Sequence, residues 1–342
     1  MFDPAFLKSL TGTPMRVQCA VLPAEPPHAP PADTGRDWSV LRVTLRNAGR
    51  AGRGEATLLP FLDAHAPDVV RAQLGGTRDR LERMISPVDL AEMLPPGPLR
   101  SALDAALWDL LAKRSGQRVW ELLGVPPPRP VPAVLTLPWG ERPCLDAELR
   151  HSHAYGALKL MLGEGTVADD LDRLHAVRRR RPDAWLMVDA GGAWDVDRLH
   201  TMLPMLQAHG VRLLEQPVEE GESGALVGLR RPFPIIADLA YGESGDGLGR
   251  LASRYDGINL KPDAVGGLTA ALDLMRQADQ RGLSVLLGAP PATPRSWAAA
   301  LHVAAGADRV NFSQWLRTED DPQAGQQDTD GVLAPPAPSL WG

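Results

Sequence analysis

From about residue 131 the sequence alternates short apolar, β-branched runs with segments of helical periodicity, and no other feature restricts the fold as much. The runs are VPAVLTL, GALKLML, AWLMVDA, VRLLEQP, PIIADLA, GINLKPD, SVLLGAP and DRVNFSQ. Between them lie stretches such as DVDRLHTMLPMLQAHG, with apolar residues at helical spacing and a terminal glycine as a stop signal. Strands alternating with helices of this length pair in parallel, and eight of them close into a barrel. The predicted class is α/β, a (β/α)8-type, TIM-like barrel written as (β/α)7β over residues 126–320.

Residues 1–125 carry a different pattern. MRVQCAVL and WSVLRVTLRNAG alternate as antiparallel strands do, and the proline-rich PAEPPHAPPADTGRD between them predicts an irregular, exposed loop. PLRSALDAALWDLLAKRSG predicts an amphipathic helix stopped by Gly116. The expectation is a small α+β domain, with the tail at 321–342 too short to fold alone and returning to pack on it.

A net charge of −6 argues against a generic phosphate-binding surface, so no nucleic-acid partner is expected. The run Arg178 to Arg181 stands before Pro182 and is expected to be a solvated helix C-terminus, where cations are favoured. Cys19 and Cys144 are far apart and without metal-type spacing, which suits a reducing compartment. No signal-like start and no run of about 18 apolar residues is present, so the expected location is cytoplasmic and no membrane partner is expected.

Chemistry in such a barrel sits at the C-terminal strand ends, and here these ends carry Lys159, Asp189, Glu215, Asp238 and Lys261, at steps of 30, 26, 23 and 23 residues. Three acids on successive strands repel one another unless a cation lies between them. All-oxygen ligands favour a hard ion, Mg2+ before Mn2+ or Ca2+. Only four of the 36 basic residues are lysine, namely Lys8, Lys113, Lys159 and Lys261, and two of them flank the acids. Where charge alone matters this chain uses arginine; lysine differs in being able to give up its proton and serve as a base.

VDAGGAW, LLEQP, IIADL and LKPDAVGG, together with GEATLLP and ALDAALWDLLAKRSGQRVWELLG, resemble the enolase superfamily, within it the muconate-lactonising and dipeptide-epimerase branch. The resemblance spans nearly the whole chain and makes residues 1–125 a capping domain. It implies Mg2+, with Mn2+ possible, held by Asp189, Glu215 and Asp238 against the carboxylate of a small-molecule substrate. Lys261 is implied as acid or base at the carbon beside that carboxylate, and a homo-oligomer is implied as the assembly. The metal would stabilise charge that develops as the proton leaves.

Several positions depart from that pattern. Racemising and epimerising members carry Lys-x-Lys on the second strand, but LKLML keeps Lys159 and puts Met161, whose thioether exchanges no proton, at the second place. Lys159 lies deeper in the barrel and is assigned an electrostatic role. Gly191 stands for the usual asparagine and Leu239 for the usual glutamate. Dipeptide epimerases have Asp-x-Asp on the eighth strand to grip an ammonium, and this chain has Asn311 and Ser313. Two-base racemisation and a dipeptide substrate are thereby disfavoured. The expectation is an isomerase of racemase/epimerase or cycloisomerase type with one lysine base. The alternatives are a lyase (β-elimination, dehydratase or o-succinylbenzoate-synthase type) and a non-catalytic metal- or ligand-binding descendant.

Arg295 and Ser296 in PPATPRSW follow the seventh strand and are candidate contacts for a distal substrate carboxylate, although an Arg capping its own helix is the blander account. His151 and His153 have metal-like spacing but enter the second strand at the barrel floor, so they read as a surface pair. Two loops, about 22–37 and 54–60, are expected to close over the mouth. The apolar end of GEATLLP hints at a partly hydrophobic substrate group.

Overall fold

The computed structural model describes residues 15–25, 38–60, 62–82, 86–239, 247–312, 315–319, 331–335, 337 and 339–342. Three strands open the chain: β1 (Arg16–Pro23), β2 (Ser39–Asn47) and β3 (Arg50–Leu58), antiparallel and in that order. Ala48 and Gly49 both have positive φ, 46° and 77°, the backbone that a two-residue hairpin between twisted strands requires.

The loop expected at 54–60 is therefore largely strand. Its glycines serve close packing: a Cβ on Gly54 would stand 2.1 Å from the Ala102 carbonyl, and one on Gly52 2.2 Å from that of Ala106. Leu58 and Leu59 are buried, so the apolar end of GEATLLP belongs to the core and offers nothing to a substrate. Most of the other loop, 26–37, lies outside the described residues.

The helix pressed on β3 is Pro98–Ser115, closed by Gly116 at φ 72°. It was expected to bury one stripe, yet it is covered on both sides. Leu99, Ala102, Leu103 and Ala106 join the core under the antiparallel sheet. Ala105, Trp108, Leu111 and Ala112 join the core of the barrel. This helix is thus the shared wall between the two halves.

The barrel strands are β4 (Val131–Leu137), β5 (Ala157–Met161), β6 (Trp185–Asp189), β7 (Val211–Glu215), β8 (Ile235–Asp238), β9 (Gly257–Leu260), β10 (Ser284–Ala289) and β11 (Arg309–Phe312). Each pairs in parallel with the next, and β11 pairs with β4 to close the ring. Inside, Val134, Ala157, Met187, Ile236 and Leu286 form an apolar plug. The period of two along a strand then sets the next inward positions above that plug at 159, 189, 238 and 288.

A last strand, β12 (Val332–Leu333), runs antiparallel to β4 at the floor. Beyond it, the Trp341 indole donates to the Ala105 carbonyl at 3.1 Å and the Gly342 amide to Asp109 Oδ1 at 3.0 Å, which ties the tail to the shared helix. The arginine run is not merely a solvated end. Arg178 donates to the carbonyls of Ala184, His209 and Gly210, and Arg181 to those of Ser152 and Tyr155, so two of the four fasten the barrel floor. His151 and His153 are exposed there. No helix among the described residues is long and apolar enough to cross a membrane.

Candidate active site

Strand register brings the charged residues together in a rising spiral. Asp189 is level with Glu215, Glu215 with Ile236, and Asp238 with Asn259. Asp189, Glu215, Asp238 and Lys261 thus occupy inward positions at or just past their strand ends, and Lys159 stands two residues before the end of β5, so the five lie on five successive strands.

At the deep side, Lys159 Nζ lies 2.6 Å from Asp189 Oδ2 and 2.8 Å from Glu215 Oε2, and all three residues are buried. The remaining oxygens are also held. The Gly191 amide donates to Asp189 Oδ1 at 2.9 Å, and Asn259 Nδ2 to Glu215 Oε1 at 2.5 Å. Burial works against charge on Lys159, but the Asp189 and Glu215 carboxylates more than offset it and hold the ammonium above its usual range. For Glu215, burial first and the neighbouring Asp189 second push the carboxyl up, and Lys159 draws it part of the way back.

At the shallow side, Lys261 Nζ stands 2.7 Å from Asp238, and both side chains keep about a fifth of their surface open, 23% and 21%. The Asp238 amide donates to Gln216 Oε1 at 2.9 Å, with Gln216 itself at φ 38°. Lys261 directly precedes the short helix Pro262–Val265. Gly288 on β10 makes room for its stem: a Cβ there would sit 3.1 Å from Lys261 Cγ and 2.2 Å from Asn259 Oδ1.

Three carboxyl groups and two lysine amines make this a mixed acid–base cluster in which the acids outnumber the bases by one. Among the described residues no set of three His, Cys, Asp or Glu side chains stands ready to hold a metal ion. Asp189 and Glu215 face Lys159, and Asp238 faces Lys261. The donor chemistry nonetheless fits a hard divalent cation: all donors are carboxylate oxygens on adjacent strand ends, and Asp238 Oδ1, buried and within ion-pair range of Lys261, receives no directed hydrogen bond.

The other candidate contacts fall elsewhere. Arg295 Nε lies 3.2 Å from Glu55 Oε1 on β3, and another guanidinium nitrogen donates to the Leu340 carbonyl. Ser296 Oγ donates to Asp263 Oδ2 at 3.3 Å. Both are thus engaged at the seam between the halves, because their helix, Pro294–Ala304, starts against β3 with Thr293 as its cap and bound to Glu55. Asn311 is buried and donates to the Val134 carbonyl and Thr136 Oγ1, bracing the closure of β11 on β4. Ser313 lies outside the described residues.

Asn259 and Gln216 had not been singled out from the sequence. Asn259 had a signal, standing two residues before Lys261 and so on the same strand face. Gln216 had none, since its role depends on a positive φ.

The chain matches the mandelate racemase / muconate lactonizing enzyme N-terminal domain over residues 15–124 and the enolase C-terminal domain-like family over 145–338. It is 33% identical over 290 residues to the L-Ala-D/L-Glu epimerase of Escherichia coli (strain K12), covering 83% of this chain and 88% of that protein. To an N-acetyl-D-glutamate racemase of Pseudoalteromonas sp it is 30% identical over 254 residues, 74% of this chain and 79% of the other. A solved enolase family member from Agrobacterium tumefaciens, with homology to dipeptide epimerases and with bound sodium and L-Ala-L-Glu, superposes with a TM-score of 0.81 at 27% identity, covering 96% of this chain and 99% of that one. With a closed eight-stranded barrel, an antiparallel N-terminal domain and these matches, the chain belongs to the mandelate racemase/muconate lactonizing enzyme branch of the enolase superfamily.

Proposed function

We propose that this protein is an isomerase that removes the proton α to the carboxylate of a small organic acid, with Lys261 as its one proton-transferring base and Asp189, Glu215 and Asp238 as ligands of a divalent cation, Mg2+ in the first place. The observation that carries the reading is the asymmetry of the two lysines. Lys159 is sealed between two buried carboxylates, whereas Lys261 sits at the open side beside Asp238.

When bound, the cation would supply positive charge beside the substrate carboxylate as electron density moves into it. Lys261 Nζ, in its neutral form, accepts the proton from the α carbon as the C–H electron pair moves toward the carboxylate. Isomerisation is completed when the planar intermediate takes a proton from solvent on its opposite face and Lys261 gives its own proton up to solvent at the open side. Lys159 stays protonated and offsets the repulsion between Asp189 and Glu215 until that place between them is taken by the cation. Asn259 orients Glu215, and Gln216 holds the backbone of Asp238. The relatives' names, an epimerase and a racemase, support this class of reaction.

Met161 favours a second reading. It occupies the inward position two residues beyond Lys159, level with Asp189. With no proton carrier there, return from Lys261 alone gives exchange without inversion. A cycloisomerisation, or a lyase reaction in which a leaving group on the β carbon departs with the electron pair, needs no second base.

The test is mass-detected hydrogen exchange in D2O with Mg2+, over N-acyl amino acids, dipeptides and hydroxy acids, each product mixture also being checked for mass loss. Exchange abolished in Lys261→Arg is the expected result. Mass loss or a new ring product, equally dependent on Lys261, would favour the second reading. If neither occurs while Mg2+ still raises the melting temperature, the protein is a ligand-binding descendant and the proposal fails.

A further inference from the structure

β4 ends at Leu137, and two residues later Trp139 stands at the rim of the mouth with 38% of its surface exposed. The ring is fixed from several directions. Its Nε1 donates to the Leu162 carbonyl at 3.0 Å, just past the end of β5. Arg173 donates to the carbonyls of both flanking residues, Pro138 and Gly140, and the Gly140 amide donates to Glu164 Oε2.

The ring also occupies the space into which a side chain at position 191 would project. A Cβ on Gly191, whose φ is 55°, would lie 3.1 Å from Trp139 Cζ2 and 3.4 Å from Cη2. The Gly191 amide in turn donates to Asp189 Oδ1. The indole is therefore one residue removed from the carboxylate cluster, and glycine at 191 is what admits it. Met161 lies on the same side of the mouth, on the strand between Trp139 and Asp189, and Lys261 with Asp238 lies on the other. One side is apolar and pre-ordered, the other charged.

We propose that Trp139 determines specificity at this site by stacking on an apolar, preferentially aromatic, group that flanks the reacting carbon of the substrate acid. This rests on the reading of the site as a carboxylate-binding one. A fixed indole loses little freedom on binding, so the stacking appears in affinity almost undiminished. An ammonium is the competing occupant of an aromatic face. It would need a carboxylate to pair with. Glu164 Oε2 is held by the Gly140 amide beside the indole, and on the eighth strand Asn311 has its amide spent on Val134 and Thr136, so glycylglycine serves as the ammonium-bearing competitor in the test.

The test is calorimetric titration of the full-length, Mg2+-supplemented protein with N-benzoylglycine, N-acetylglycine and glycylglycine. Wild type is expected to bind the benzoyl acid about tenfold or more tightly than the acetyl acid, a difference of about 1.4 kcal/mol. Trp139→Ala should bring the ratio to about threefold or less, Trp139→Phe should keep most of it, and Gly191→Asn, whose side chain crowds the ring, should lower it in the same direction as Trp139→Ala. A ratio unchanged in Trp139→Ala, equal or undetectable binding of the two acids, or glycylglycine as the tightest ligand overturns the proposal. Turnover is not required, so the outcome separates from that of the exchange assay. Exchange without the benzoyl preference leaves the function standing and removes Trp139; the preference without exchange does the reverse.

Discussion

Lys159 does two jobs that pull in opposite directions, filling a buried position with a charge and cancelling the charges of Asp189 and Glu215 around it. Removing one partner of such a buried set leaves the others uncompensated, which costs about 3–5 kcal/mol in comparable cases. Lys159→Met should therefore lose about 3 kcal/mol or more of unfolding free energy in EDTA at neutral pH. If the carboxylates are metal ligands, Mg2+ should recover more of the stability in the variant than it adds to wild type, since the cation then meets two carboxylates with no lysine to displace. Urea titrations with and without Mg2+ decide this; a variant as stable as wild type in EDTA would sink it. At this scale the sequence was informative about identity and silent about direction. The acids and lysines were legible from strand-end spacing. That Arg295 turns to Glu55 depends on how the two halves meet, and that Ser296 turns to Asp263 on how two βα segments of the barrel pack, and nothing near either residue in the chain encodes that.

β3 shows how an element can be misread when its glycines are taken as punctuation. In GRGEATL the glycines at 52 and 54 mark contact surface, because the Pro98–Ser115 backbone comes close enough to leave no room for a methyl group. Gly54→Ala should cost about 1–3 kcal/mol, as overpacked substitutions do. Gly75 gives the contrast. It lies exposed within the helix Pro67–Leu81, with nothing within 4 Å of a Cβ, so Gly75→Ala should gain about 0.5–1 kcal/mol from helix propensity. Thermal denaturation of the two variants should move the midpoint in opposite directions, and a shift of the same sign would refute the packing argument. The eight barrel strands were legible because their apolar period is set locally. β3 was not, because its short residues are selected by a helix some fifty positions away.

For the whole molecule, the two halves are joined through buried polar groups whose ionisation is linked to folding. Asp263, two residues past Lys261, accepts from Ser101 Oγ of the N-terminal domain at 2.9 Å and from Ser296 Oγ of the barrel at 3.3 Å. Asp104, on the shared helix, accepts from Thr269 Oγ1 at 2.5 Å and from the Thr269 amide at 3.1 Å, at the start of the helix Leu268–Asp279. Burial pushes the Asp104 carboxyl up to about 7 and that of Asp263 up to about 6, against opposing hydrogen bonds. Both stand above the value of an unfolded aspartate, so the folded protein binds more protons than the unfolded chain in the intervening range. Their contribution is then fully present below about pH 4 and is lost as pH rises through 6 and 7. Asparagine mimics the protonated form and removes the titration. Between pH 5 and pH 8 the wild type should therefore lose more stability than Asp104→Asn, by more than ~1.4 kcal/mol, the value of one pKa unit. Asp104→Asn/Asp263→Asn should be flatter still. The comparison needs melting curves of the three proteins at matched ionic strength across that range. Parallel pH profiles would mean that both carboxylates ionise without cost, because the Arg100 charge near Asp104 and the Ser101 hydrogen bond on Asp263 outweigh their burial, and the seam would then be held by charge at neutral pH.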